Sequence, residues 1–249
     1  MDLDITWIAA IAVMLGAGVL KGSVGFGAPL ISVPGLALLV GPKAAVVLAS
    51  VPLLVTNSSI LLGMKTERGA VRRFLPALVV LVPATYVGAT LLSAIPGGTA
   101  SIIDGAVTVA FVVVTLLGRT LSVPRSVDSV AQAMLGAVAG LLNGVSSIPG
   151  PLFAMYLSTL SLDRRAFVYS VTLLLIVGNA AQVASYAALG LYTDGLFLTS
   201  ALLAPAQLVG QQLGLRIHTR LRPRVFQRVV LAVVGISGAN LLIRGLAAL

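Results

Sequence analysis

Cysteine is absent from the 249-residue chain, and charged side chains are scarce. Without cysteine the protein has no disulfide framework, no thiolate nucleophile and no thiolate metal site. Charged residues make up 9% of the chain, whereas an ordinary globular domain has about 25%. This scarcity excludes a soluble domain, because too few polar side chains are present to cover a water-facing surface.

Residues that carry out catalysis are also few. The only histidine, His218, lies in the basic segment RIHTRLRPR, where a solvated role fits better than a catalytic one. The phosphate-binding motif GxxxxGK[ST] does not occur, and no group of His, Asp and Glu has metal-ligand spacing. The sequence therefore predicts a protein that is not an enzyme and that holds no cofactor or metal.

Hydrophobic residues are abundant and occur in long runs. They make up 58% of the chain, and the mean hydropathy is +1.09. About 20 apolar residues suffice for a helix to cross the hydrocarbon core of a bilayer. The sequence therefore predicts an all-α polytopic membrane protein, with apolar segments at about residues 5–20, 29–40, 44–62, 74–94, 102–117, 130–142, 151–160, 166–189, 196–215 and 226–243.

Two of these segments are too short to cross. Pro29–Val40 has 12 residues and Pro151–Leu160 has 10, which gives about 18 and about 15 Å of helix against a core of about 30 Å. Each follows a glycine-rich break, which we call the first tip (Gly22–Ala28) and the second tip (Gly144–Gly150). The lengths favour two re-entrant or broken-helix hairpins, at about 5–40 and 130–160. Two fully crossing helices in place of each hairpin would leave the chain ends on the same sides of the membrane.

Basic residues indicate the orientation of the chain. If both hairpins return to the side they entered, one face receives 13 of the 16 cations. Cytoplasmic loops of membrane proteins are enriched in Lys and Arg, so we expect the basic loops in the cytoplasm and both termini outside the cell membrane, and we assign the net charge of +9 to topology rather than to nucleic acid. These cations are Lys65, Arg68, Arg72, Arg73, Arg119, Arg125, Arg164, Arg165, Arg216, Arg220, Arg222, Arg224 and Arg228.

The chain aligns with itself at an offset of 122 residues. Matches of Pro, Gly and Asn in one register carry more weight than matches of aliphatic residues, which are common in any apolar sequence. The pairs include Gly18/Gly140, Gly22/Gly144, Pro29/Pro151, Lys43/Arg165, Asn57/Asn179, Pro83/Pro205 and Gly88/Gly210.

Each half of this repeat contains one hairpin and three spans, so an odd number of crossings gives the halves opposite orientation. We predict a first repeat over residues 1–122 (spans 44–62, 74–94 and 102–117) and a second, inverted repeat over 123–249 (spans 166–189, 196–215 and 226–243). Inverted repeats with interrupted segments at matching positions are typical of secondary transporters, whose binding site lies near the interruptions.

The sequence also resembles the sulfite exporter TauE/SafE family of membrane permeases. The resemblance covers nearly the whole chain and rests on the stretch G-x-x-K-G-x-x-G-F-G-A-x-L-x-x-x-P at Gly18–Pro34, the basic cluster Lys65–Arg73, and the motif N-G-x-x-S-x-P-G-P at Asn143–Pro151. It implies export of sulfite, sulfonates or related organosulfur anions.

The tips are predicted to form an anion site. Irregular backbone at membrane depth must be buried in protein or line a cavity. A short helix begins after each tip with proline near its first position, so its amides and positive dipole end would face the break. Lys21 is the cation of the first tip and a candidate counter-charge, because an ammonium within a membrane costs about 2.5–3.5 kcal/mol and is usually functional. The alternative is that Lys21 snorkels to the interface.

Polar and glycine residues near the tips complete the predicted substrate site. Asn57 and Asn179 could donate to the oxygens of an anion, or could act as polar glue between helices. Glycines would let the backbone approach a ligand closely. The full set of candidate substrate-binding residues is Lys21, Gly22, Ser23, Gly25, Gly27, Asn57, Asn143, Gly144, Ser146, Ser147, Asn179 and Gln182.

The leading hypothesis is a permease that exports a small sulfur-containing anion by alternating access at a midplane site between the two tips. An anion channel, or a permease for neutral or cationic solutes, are the alternatives. Asp104 and Asp194 are expected near the outer face, so a carboxylate proton relay is not evident and export could be driven by the membrane potential alone. The expected partners are a small anion and the lipid bilayer, with a homodimer left open beside a monomer.

Overall fold

A computed structural model describes residues 5–25, 27–64, 68–117, 128–160, 162–217 and 223–247. Within these ranges the chain forms eleven α-helices and one 3-10 turn at Thr193–Gly195. The helices are α1 (Ile5–Val24), α2 (Pro29–Val40), α3 (Pro42–Leu62), α4 (Arg68–Arg73), α5 (Leu75–Ala94), α6 (Gly97–Leu116), α7 (Asp128–Ser146), α8 (Gly150–Ser158), α9 (Arg164–Ala188), α10 (Leu196–Ile217) and α11 (Pro223–Ala247).

The all-α membrane architecture is confirmed, since six of the described helices are long and apolar enough to cross a bilayer. These six are α1, α3, α5, α6, α7 and α9. The first arm of each hairpin is therefore of spanning length, whereas the second arms, α2 and α8, have 12 and 9 residues. The sequence did not predict α4, which carries the basic residues before α5. His218 and Lys65 lie outside the described residues.

The two hairpins break in the same way. The helix α1 ends at Val24 and is followed by Gly25 with φ 95°, and α7 ends at Ser146 and is followed by Ser147 with φ 62°. The amide of Gly25 donates to the carbonyl of Lys21 at 2.7 Å, and the amide of Ser147 donates to the carbonyl of Asn143 at 3.1 Å. A left-handed residue after the last helical turn is a common helix ending, and here both endings lie 122 residues apart.

Close glycine contacts fix the first arm of each hairpin against a helix of the other half. The helix α1 packs on α10, and α7 packs on α5. A Cβ atom on Gly22 would lie 2.1 Å from the carbonyl oxygen of Gln211, and one on Gly144 would lie 2.2 Å from that of Thr85. Small residues let membrane helices approach backbone to backbone in this way, so these glycines hold the scaffold of the tips.

The contact between α7 and α5 matches the contact between α1 and α10. The first arms α1 and α7 correspond at an offset of 122 residues, whereas their partners α5 and α10 correspond at an offset one helical turn longer. A Cβ on Gly88 would meet the carbonyl of Leu141 and the Cα of Gly144, while the matching contacts, the carbonyl of Val19 and the Cα of Gly22, surround Gly214. The structural counterpart of Gly88 is thus Gly214 and not Gly210, the partner that the alignment gave. A shift of four residues is about one helical turn, so it preserves the packing face.

Proline within α3 joins this helix to α10. Pro52 has no amide hydrogen, so the carbonyl of Leu48 loses its helical donor. The hydroxyl of Ser200 on α10 donates to that carbonyl at 2.8 Å. Because lipid supplies no hydrogen bonds, this side-chain donor stabilises the interrupted helix. It also holds α3 against α10 just before the part of α3 that carries Asn57.

Candidate functional site

Both tips meet at one cavity between α3 and α9. The space is narrow and holds about one or two water molecules. Its walls come from the two tips, from the first residues of α2 and α8, and from the middle of α3 and α9. They are Lys21, Gly27, Ala28, Pro29, Leu53, Asn57, Ser147, Ile148, Gly150, Pro151, Leu175 and Asn179.

The lining of this cavity repeats along the chain. Four of its residue pairs are separated by 122 positions, and these pairs are Ala28/Gly150, Pro29/Pro151, Leu53/Leu175 and Asn57/Asn179. Each half of the chain therefore contributes the same positions to one shared space. Of the predicted site residues, the structure brings Lys21, Gly27, Asn57, Ser147 and Asn179 to the cavity wall.

Lys21 carries a buried amine, and the described residues provide no counter-ion for it. Its side chain is 1% exposed, and its ammonium donates to the hydroxyl of Thr56 at 2.7 Å. Thr56 in turn donates to the carbonyl of Pro52 at 2.7 Å. An ammonium has three donors and this neutral hydroxyl takes one, so the charge and two hydrogens are available to a ligand in the cavity. Sequence reasoning did not identify Thr56, although it directly precedes Asn57.

Asn143 occupies the position of Lys21 in the second half. It is fully buried, and its amide nitrogen donates to the carbonyl of Gly178 at 2.8 Å. Lys21 and Thr56 are 35 residues apart, and so are Asn143 and Gly178. The same bond from the end of the first arm to the following long helix thus occurs in both halves, once with a charged donor and once with a neutral one.

Asn57 and Asn179 bond directly to each other across the cavity. The amide nitrogen of Asn57 donates to the side-chain oxygen of Asn179 at 2.7 Å. The side-chain oxygen of Asn57 has no partner among the described residues. Both side chains are 2% exposed, so this pair joins α3 to α9 in the interior of the bundle.

Gln182 links this asparagine pair to the second tip. Its amide nitrogen lies 2.7 Å from the hydroxyl of Ser147, 2.6 Å from the carbonyl of Asn143 and 2.9 Å from the hydroxyl of Tyr186. Tyr186 donates to the carbonyl of Gly144 at 2.8 Å. Sequence reasoning missed Tyr186. The signal for it was its position four residues after Gln182, which puts both on one helix face.

The other predicted residues lie near the cavity without lining it. Gly22 and Gly144 are in the helix contacts described above, and Gly25 forms the turn. Ser23 donates to the carbonyls of Val19 and Gly214, and Ser146 donates to that of Leu142. These residues shape the tips through backbone geometry and packing.

The first amides of α2 are not bare, in contrast to the expectation from the sequence. The amide of Leu30 donates to the carbonyl of Gly27 at 3.0 Å, and that of Ile31 donates to Ala28 at 3.1 Å. A tight turn at the start of the helix therefore uses these donors. The positive end of the helix still points at the break, but Lys21 is the stronger positive group in the site.

The surroundings of the cavity differ at its two ends. A wider cleft of about 470 Å³, partly open to solvent, includes Ser58 of α3 and Ile176 of α9, each of which directly follows a residue of the cavity wall. At the other end Tyr186, Tyr192 and Phe197 stack edge to face with ring centroids 6.2 and 5.2 Å apart. The Tyr192 hydroxyl also lies 2.8 Å from that of Ser50, so aromatic packing covers this end.

Two broken hairpins that meet at a buried cavity inside an all-helical membrane bundle are typical of secondary transporters. The chain is a member of the sulfite exporter TauE/SafE family, whose model matches residues 10–241. The resemblance seen in the sequence is thereby confirmed over nearly the whole chain. No curated protein and no solved structure matches it.

Proposed function

We propose that this transporter exports a small sulfur-containing anion of the sulfite or sulfonate class across the cell (inner) membrane, by alternating access at the cavity between the two tips. Membership of the sulfite exporter family supports the substrate class. The bond between the repeat mates Asn57 and Asn179 supports an approximate two-fold relation between inverted halves over 1–122 and 123–249.

The observation that carries this proposal is the buried amine of Lys21, for which the described residues offer one neutral partner and no opposite charge. A buried charge is costly unless an opposite charge or several hydrogen bonds compensate for it. Thr56 supplies one neutral partner. An anion at the cavity would supply the missing negative charge, which explains why the cation is kept at a place where a neutral asparagine serves in the other half.

The open cleft and the covered aromatic end favour a state that faces one side of the membrane. The cleft lies at the end of α3 that precedes the basic helix α4, and this is the cytoplasmic side by the rule of basic loops. We therefore assign this conformation as inward-facing. Because the cavity holds only about one or two waters, the tips separate to admit a larger anion.

Purified protein in liposomes tests the proposal. Sulfite, sulfoacetate, taurine and sulfate are compared for counterflow, in which excess unlabelled solute inside drives uptake of labelled solute. We expect saturable counterflow of sulfite or a sulfonate. Unitary currents without counterflow would establish an anion channel instead, and transport of neutral or cationic solutes alone would contradict the anion site.

A further inference from the structure

Asp104 is a buried carboxyl that the substrate site does not use. It lies seven residues after the start of α6, about 10 Å along the helix, and its side chain is fully buried. Neither carboxyl oxygen has a hydrogen-bond partner among the described residues. Asp104 was expected near the outer face, and the structure shows in addition that its carboxyl is enclosed by protein.

The helices that pack against α6 are α2, α3, α7 and α11, and these would supply any charged group that neutralises Asp104. Within the described residues, α2 carries none. The others carry Lys43 on α3, Asp128 on α7, and Arg224, Arg228 and Arg244 on α11.

Lys43 on α3 and Asp128 on α7 form hydrogen bonds with other groups, and Arg244 at the end of α11 is exposed. Lys43 donates to the carbonyl of Ser93, and Asp128 accepts from Tyr156 and Gln132. Arg244 lies on the surface. None of these groups therefore pairs with the carboxyl of Asp104.

The first two arginine positions of α11, Arg224 and Arg228, lie too far along that helix to neutralise Asp104. Gly105, next to Asp104, lies against the backbone of Gly238 and Leu242. Arg228 precedes Gly238 by ten residues, which is about 15 Å along the axis, and Arg224 precedes it by one further turn. The helix contact thus separates both positions from Asp104.

Asp104 is connected to the substrate site through Tyr186. Ala100, which lies one turn before Asp104 on the same face of α6, belongs to the same buried cluster as Tyr186. Tyr186 bonds to Gln182 and to the carbonyl of Gly144, and Gln182 bonds to Ser147 in the cavity wall. A change of charge at Asp104 would therefore alter the hydrogen bonds that hold the second tip.

We infer that Asp104 is a proton-binding site, and that its protonation couples anion export to proton entry. The inference rests on the proposed anion transport. A carboxyl in apolar surroundings with no partner is stable as the neutral acid. A hydronium ion that reaches Asp104 from outside gives its proton to a carboxylate oxygen, so that its own O–H bond breaks as the new one forms. The carboxyl returns the proton to water when the rearranged halves expose Asp104 to the inside. The membrane potential drives the outward anion and the inward proton alike.

Liposomes with the potential clamped at zero by potassium and valinomycin test this inference. Sulfoacetate is the probe, because both its acid groups stay ionised above about pH 6. It is present at equal concentration on both sides, and the outer solution is made about one pH unit more acidic. With one proton per anion, we expect the wild type to deplete the lumen until the outside exceeds it about tenfold.

Three variants assign the coupling to this residue. Asp104→Asn, which mimics the neutral acid, should abolish the depletion while counterflow persists, because exchange of one anion for another needs no proton step. Asp104→Glu should restore part of it. Asp194→Asn, which changes an exposed acid in the loop before α10, should behave as the wild type.

The outcomes separate the two proposals. Counterflow without depletion in the wild type, or full depletion in Asp104→Asn, would overturn the proton inference and leave the anion transport intact. If neither sulfoacetate nor sulfite shows counterflow in the wild type, the proposed function fails, and the proton inference fails with it. A pH dye trapped in wild-type liposomes gives a readout that needs no variant, since an outward sulfoacetate gradient should acidify the lumen.

Discussion

The ends of α1 and α7 have the same type of backbone turn, and they differ in the charge of one side chain. Lys21 and Asn143 lie 122 residues apart, both are buried, and both donate to the long helix that follows in their own half. The hydrogen bond itself stabilises the fold in both halves, because the neutral amide of Asn143 forms the same kind of bond as the amine of Lys21. The positive charge is therefore not needed for structure, and it is present only where the cavity wall includes the residue.

The largest difference between the two tips should appear when the charge of Lys21 is removed. In Lys21→Gln, anion counterflow should fall by about tenfold to a hundredfold, since hydrogen bonds to charged groups contribute about 1.5–3 kcal/mol. The melting temperature without substrate should stay level or rise, because a buried charge without a counter-ion destabilises the fold and a neutral amide does not carry this cost. Transport assays and thermal melting in detergent measure the two effects.

A matched control for this variant is Lys43→Gln, which changes a lysine outside the cavity whose ammonium donates to the carbonyl of Ser93. It should leave counterflow near the wild-type level. If Lys21→Gln melts at a lower temperature and still transports the anion, then Lys21 is structural and the neutral or cationic alternative gains support.

The next position in each tip tests whether the two scaffolds are equivalent. Gly22→Ala and Gly144→Ala each push a Cβ to within 2.1 and 2.2 Å of a backbone oxygen on the neighbouring helix. Both should destabilise the protein by about 1–3 kcal/mol, the usual cost of overpacking. Gly16→Ala on α1, where nothing lies within 4 Å, is the control. Equal melting temperatures for Gly22→Ala and Gly16→Ala would contradict the close packing.

The smallest effect is expected at the left-handed residue of each tip. Ser147→Ala keeps the unfavourable φ and loses the bond from Gln182, which costs about 1 kcal/mol. Ser147→Gly loses the same bond but removes about 1 kcal/mol of backbone strain, so its stability should stay near that of the wild type. Gly25→Ala, with open space around it and φ 95°, should lose about 1 kcal/mol. Identical melting of the two Ser147 variants would exclude a role of strain.

The sequence predicted the hairpin breaks because glycine and proline act locally. Proline is favoured in the first turn of a helix, as at Pro29 and Pro151. Glycine permits the left-handed turn at Gly25, whereas Ser147 forms the turn of the second tip, which the sequence did not indicate. The position of Lys21 at the first tip also followed from local information, since it lies between long apolar runs, whereas its burial had been left open beside snorkelling to the interface. Each of these features depends on a few neighbouring residues, so pattern and spacing sufficed.

Features that depend on how helices pack were not predictable in this way. Asp104 lies near a loop in the sequence, and it is buried because Gly105 and Gly238 bring α6 and α11 together. Tyr186 reads as an aromatic residue near a helix end, whereas its hydroxyl reaches the second tip across a helix contact. The one-turn shift that makes Gly214 the counterpart of Gly88 has no signature in a gapless alignment.

The bond between Asn57 and Asn179 has a consequence for symmetry itself. In an amide pair one partner gives a hydrogen and the other receives it, so two identical residues at equivalent positions cannot play identical roles. Asn179 also gives a hydrogen to the side-chain oxygen of Gln182 at 3.4 Å, and the residue 122 positions before Gln182 is Ile60, which has no side-chain acceptor. The direction of the central bond is thus set by the second half of the chain, and the halves are unequal at the point where they touch.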